Sequence, residues 1–182
     1  VLAPAGELSA IVPLIDAGAN AIYVGLNGFS SRPQSADFSI QDIITATKIC
    51  HDNGVRLHVA INGCISEKNI NLVYERLKKL DNIGVDAVII ADWGVLKKAS
   101  EYIKVAEIHA STLLGTYNSR TIEYLKDMGI KRVVLSTNLY IDEISNIINS
   151  VPDMEYEIVA DGGICFNDNR ICELPHTNSK EN

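Results

Sequence analysis

Four times along the chain a helical stretch stops at a glycine and a β-branched apolar run follows within a few residues. Asp16-Ala-Gly18-Ala-Asn-Ala21 leads into Ile22-Tyr-Val24, and Asp52-Asn-Gly54-Val55 into Leu57-His-Val59. Asn82-Ile-Gly84-Val-Asp-Ala87 leads into Val88-Ile-Ile90, and Asp127-Met-Gly129-Ile130 into Val133-Val-Leu135. Glycine suits the position just past a helix, where φ is commonly positive. The runs are almost continuously apolar, as strands buried on both faces are. With further runs at both ends, about seven strands are expected, near residues 1–4, 21–26, 56–62, 87–92, 105–111, 132–137 and 156–161. Such alternation demands a parallel sheet, either a barrel or a doubly wound open sheet. The first turn, Pro4-Ala-Gly6-Glu7, lacks the G-x-G-x-x-G spacing of the doubly wound dinucleotide folds. The expected fold class is therefore α/β, a parallel (β/α)8 TIM-type barrel truncated after about seven βα units.

The intervening helices read as amphipathic. Glu7 to Ala17 is the first. Ser39, with Asp42 three residues on, makes a capping-box start, after which Ile40, Ile43, Ile44, Thr47 and Cys50 share a face. Ser66 is expected to cap a helix that turns Ile70, Val73, Leu77 and Leu80 inward. Ser119 opens another, and Ile141, Ile144, Ile147 and Ile148 mark the last.

The chain has 182 residues, 47% of them hydrophobic, enough for one substantial core. Residues 1–172 read as a single, incomplete barrel domain and 173–182 as a polar tail at a truncation point; the start at Val1 rather than Met also reads as a cut. No apolar run reaches the ~20 residues of a membrane span. Four cysteines do not make a disulfide scaffold, so reduced thiols and a cytoplasmic setting are expected. The net charge of −7 gives no clear nucleic-acid patch in this portion.

Chemistry in a parallel barrel gathers where strands end. Those positions carry Glu7, Asn27, Asn62 to Cys64, Asp92-Trp93, Ser111-Thr112, Thr137-Asn138 and Asp161 to Cys165. Asn62, Asp92, Thr112 and Asp161 each directly follow an apolar run. If Leu57, Val59 and Ile61 face the helices, His58 and Asn62 face the barrel axis. His58 reads as a hydrogen-bonded core residue. His109 lies in a more polar stretch and reads equally as core or pocket. His51 sits at a helix end, where it favours the dipole, and Cys50 reads as a small apolar side chain. Cys165 and Cys172, with six residues between them, stand in a loop after the last strand. Two thiolates suit zinc or an iron–sulfur cluster, but either needs four ligands.

With these residues laid out, the chain resembles the U-thirty-two peptidase family, the collagenase-like group. The resemblance rests on Leu2-Ala-Pro-Ala-Gly6, on Ala21-Ile-Tyr-Val-Gly25 with Phe29-Ser30 and Arg32, on Asn62, on Asp92 with Gly94-Val95-Leu96, and on His109-Ala-Ser-Thr112. It extends to Glu157 and Gly162 to Cys165, followed by Cys172. The family's hallmark histidine is replaced here by Asp161, and the arginine expected after the sixth strand by Thr137.

The resemblance implies a barrel and a four-iron four-sulfur cluster. Cys165 and Cys172 would be its first two ligands, and two more would lie beyond the chain end; zinc is the alternative. It also implies oxygen-independent hydroxylation of RNA or a quinone precursor, with a small carboxylate such as prephenate as oxygen donor. Arg32, Asn62, Asp92, His109, Thr112 and Asp161 would line the pocket, Arg32 being the candidate to pair with a carboxylate. Two other readings stand beside this one. The first is a peptidase, as the family name says, with Cys64 and His58 or His109 as its thiol–imidazole pair. The second is a non-catalytic, metal-binding subunit of a protein partner.

Overall fold

The computed structural model describes residues 1–31 and 38–162. Seven strands form one all-parallel sheet in strictly sequential order: β1 (Leu2–Pro4), β2 (Ala21–Gly25), β3 (Arg56–Ile61), β4 (Ala87–Ile90), β5 (Glu107–Ala110), β6 (Arg132–Val134) and β7 (Glu155–Glu157). A doubly wound sheet reverses its order at a switch point. This one never does, and it curls into a truncated barrel of the TIM type. Its edges are β1 and β7. Registers run continuously, from Ala21 beside Arg56 through Ala87 beside Glu107 to Arg132 beside Glu155.

The helices α1 (Ile11–Asp16), α2 (Ile40–Asp52), α3 (Ile70–Ile83), α4 (Trp93–Tyr102), α5 (Ser119–Asp127) and α6 (Ile141–Ser150) fill the crossovers. The core lies between helices and sheet. Ile22, Val24, Leu57, Val59, Ile61, Val88, Ile90, Ile108 and Val133 point outward from the strands onto Ile43, Val73, Leu77, Leu80, Leu96, Ile122 and Leu125. This parity sends Arg56, His58 and Ala60 of β3 to the inner face, as the alternation in the sequence predicts.

Local chemistry explains most helix boundaries. Ser39 and Asp42 form the expected capping box on α2, and Gly84 ends α3 at φ 87°, where a side chain would be strained. Several details differ from expectation. Ser66 makes no side-chain cap; one 3-10 turn, Glu67–Asn69, precedes α3. The first helix likewise begins as a 3-10 turn at Leu8–Ala10, where Pro13, lacking an N–H, falls early in α1. Ser119 does open α5 as expected, with Asn118 before it as the cap. Ile44, Ile141 and Ile148 face solvent although their spacing suggests burial. β7 stops at Glu157, leaving Ile158 and Val159 exposed. No helix among the described residues is long and apolar enough to cross a membrane.

Candidate functional site

The inner face of the sheet is charged, which is unusual for a barrel filled by branched apolar side chains. Arg56, Glu107, Arg132 and Glu155 are the first residues of β3, β5, β6 and β7. Arg56 Nη2 donates to Glu107 Oε2 at 2.7 Å. Arg132 donates through Nε (3.2 Å) and Nη2 (2.7 Å) to Glu155 Oε2. Burial pushes the Glu107 carboxyl up, but its bonds to Arg56 and His109 outweigh this and leave it below the ordinary range. The bond from Arg132 holds Glu155 low as well. These pairs stand at the N-terminal mouth, where barrel residues serve stability.

The imidazoles lie one inward position further along. His58 and His109 are fully buried, with ring centroids 5.0 Å apart and planes at 86°. His109 Nε2 lies 2.9 Å from Glu107 Oε2. A carboxylate only accepts, so Nε2 carries the proton and Nδ1 is left as an acceptor. Neither nitrogen of His58, nor Nδ1 of His109, has a hydrogen-bond partner among the described residues. The expectation that His58 is a hydrogen-bonded core residue is thus not met. Burial, then the neighbouring His109, Arg56 and Arg132, push its pKa down to about 3. Burial lowers His109 too, against the opposing pull of Glu107. Glu157 faces the same space. Its Oε2 stands 3.6 Å from Arg132 Nη1, too long for a hydrogen bond, and burial raises its carboxyl above the usual range. The middle of the barrel therefore holds two neutral imidazoles and a carboxyl that retains its proton more readily than usual. Such groups can exchange protons or hydrogen-bond an uncharged polar ligand.

The other candidates sit at the C-terminal rim, and each has a structural task there. Asn62, after β3, accepts from the Ser31 N–H through Oδ1 at 3.0 Å, which fixes the chain as it leads toward Arg32. Asp92, after β4, caps α4 by accepting from the Val95 N–H at 2.8 Å. It also edges a cleft of about 450 Å³ with Ser66, Glu67, Tyr74, Lys97 and Lys98. Thr112 donates to the Leu135 carbonyl at 3.1 Å, tying the end of β5 to that of β6. Asp161 follows β7 and is exposed. Arg32, Cys165 and Cys172 lie outside the described residues.

Of the remaining candidates, His51 does more than complement a helix dipole: Nε2 meets Asp86 Oδ2 at 2.9 Å. The same oxygen accepts from the Leu57 N–H at 2.8 Å. Cys50 is buried on α2 as expected, and burial, with Asp86 nearby, pushes its thiol up to about 11. Cys64 is exposed. His58 has no partner and His109 bonds Glu107, so no thiol–imidazole hydrogen bond of the kind a cysteine peptidase needs is formed among the described residues. The same residues offer no cluster of three or more His, Cys, Asp or Glu side chains placed to hold a metal. Reading single residues missed the ionic floor. Its signal was present, since Arg56/His58, Glu107/His109 and Glu155/Glu157 are polar at alternate positions within strands.

Comparison with known proteins supplies the family. The model of Peptidase family U32 matches residues 6–182. A tRNA hydroxylation protein P of Escherichia coli is 31% identical over 91% of this chain and 37% of its own length. A 23S rRNA 5-hydroxycytidine synthase of the same organism is 28% identical over 97% of this chain and 26% of its own. The chain thus spans well under half of either relative. The solved U32 peptidase Mk0906 superposes with a TM-score of 0.72 over 86% of this chain and 66% of that one; at 12% identity it speaks for the fold alone. Sequential parallel strands, the L-A-P-A-G opening, H-A-S-T at the end of β5 and the near-complete family match agree, and the chain belongs to Peptidase family U32.

Proposed function

We propose that this chain is the barrel portion of an iron–sulfur protein that supports oxygen-independent hydroxylation of RNA. The supporting observation is that two relatives matched over more than nine-tenths of this chain are named for hydroxylating, or aiding hydroxylation of, two different RNAs. Cys165 and Cys172 would supply two ligands of a four-iron four-sulfur cluster, with the other two from elsewhere in the protein. The donor chemistry fits this placement. β7 directs the chain to the C-terminal mouth, and in the sequence Cys165 follows Gly162 by three residues. Cys50, buried with its thiol pushed up, is a poor ligand by contrast. When bound, such a cluster supplies one-electron redox chemistry.

The chain's own residues would bind and shuttle protons. Arg32 is the candidate to hold the carboxylate of a small oxygen donor such as prephenate. His109, kept as the Nε2–H tautomer by Glu107, presents Nδ1 as a proton acceptor. Anaerobic purification of the full-length protein tests the reading. Iron and sulfide should co-purify with visible absorbance, and Cys165→Ser or Cys172→Ser should abolish both. A colourless, iron-free protein under those conditions would sink it. Zinc found in place of iron would favour a non-redox role.

A further inference from the structure

Trp93 is the chain's single tryptophan. It opens α4 directly after Asp92, on the C-terminal rim of the barrel. Tryptophan is usually well covered, yet this one is 41% exposed and packs beside Tyr124 of α5, itself 54% exposed. The ring centroids are 6.2 Å apart and the planes tilted by 43°. An exposed aromatic pair from two different helices marks a binding surface rather than a core. Cations flank it. Lys97 lies one helical turn beyond Trp93, and Arg120 one turn before Tyr124, on the same helix faces. Both are exposed, as is Lys98, which with Lys97 borders the cleft beside Asp92. The Arg120 side chain is 85% exposed and forks onto Glu123. Together α4 and α5 carry four cations against three anions, in a chain of net charge −7.

We propose that this face docks unpaired nucleotides of an RNA. Trp93 and Tyr124 provide stacking platforms for bases, while Lys97, Lys98 and Arg120 meet phosphates. Aromatic rings interleaved with cations are how proteins grip single-stranded RNA. The centre of a protein–protein interface, by contrast, is depleted of lysine. Position agrees with this use: a strand stacked on Trp93 lies beside the barrel mouth, so a neighbouring nucleotide can reach it. The proposal rests on the RNA-hydroxylation reading and adds where the substrate is held.

The test is fluorescence anisotropy of a labelled RNA hairpin with an unpaired loop, and of a fully paired duplex, titrated with the full-length protein. Trp93→Ala and Tyr124→Ala should each weaken hairpin binding about tenfold, while Trp93→Phe, which keeps a stacking face, retains most of it. Lys97→Gln and Arg120→Gln should each flatten the salt dependence of log K by about 0.7. Wild-type affinity in Trp93→Ala would overturn the platform and leave the hydroxylation reading standing. No affinity of the wild type for either RNA would overturn both. Unchanged RNA affinity with loss of a protein complex in Trp93→Ala would make the face a protein interface and refute the proposal.

Discussion

Lowering the pH should destabilise this barrel well before its ion-paired carboxylates titrate, and His58 is the reason. In the unfolded chain its imidazole titrates near 6.5; in the fold, burial and the neighbouring His109 and Arg56 bring it to about 3. Between those values the unfolded state holds a proton that the folded state does not, so stability falls as pH falls. The contribution is fully present above about 6.5. At about pH 5 the gap of roughly 1.5 units below the unfolded value costs about 2 kcal/mol. For a chain of this length that is about 4–8 °C in Tm.

The groups facing His58 modify the slope. His109, also lowered, adds to the loss. Glu157 is raised, so the folded state binds its proton first, and this offsets part of the loss. Glu107 and Glu155 are lowered from 4.5 and act at more acidic pH. Urea titrations of the wild type and His58→Phe at about pH 7.5 and about pH 5 isolate the term. The variant fills similar volume and carries no proton, so its stability should change about 2 kcal/mol less across the interval. Equal losses in the two proteins would show that His58 is solvated or partnered, and the argument for an unpaired imidazole in the lumen would fail.

Two further perturbations probe the scaffold. A Cβ on Gly63 would sit 2.9 Å from the Ser30 carbonyl oxygen and 3.0 Å from that of Phe29, both backbone. Gly63→Ala should therefore cost about 1–3 kcal/mol in a denaturant titration. It should also displace the segment that Asn62 anchors through the Ser31 N–H. Asp81 accepts from the backbone N–H groups of Lys104, Val105 and Ala106 at 2.8–2.9 Å, tying the end of α3 to the start of β5. Burial raises its carboxyl, but those three bonds outweigh this and leave it lowered. Asp81→Ala should lower the urea midpoint by an amount worth about 1–3 kcal/mol.

What the sequence reveals about this protein follows the range of the forces involved. Strand placement and the parallel order are local consequences of apolar runs punctuated by Gly18, Gly54, Gly84 and Gly129, all at positive φ in the structure. The inward direction of His58 follows from alternation alone. Ion pairing does not. Arg56 and Glu107 lie on β3 and β5, and only closure of the sheet over β4 brings their side chains to 2.7 Å. Helix α4 is missed for a related reason: its one sharp signal, Asp92, also reads as a strand-end site residue. In the fold the same carboxylate caps the helix while edging a cleft. Asn62 and Thr112 share this double use, each a rim residue that ties two segments together. Their presence on the rim therefore does not by itself argue for catalysis. The nitrogens of His58 and His109 that lack partners among the described residues argue more strongly, because burying a polar atom without a partner costs stability, and such costs persist where a ligand or a proton path uses the atom.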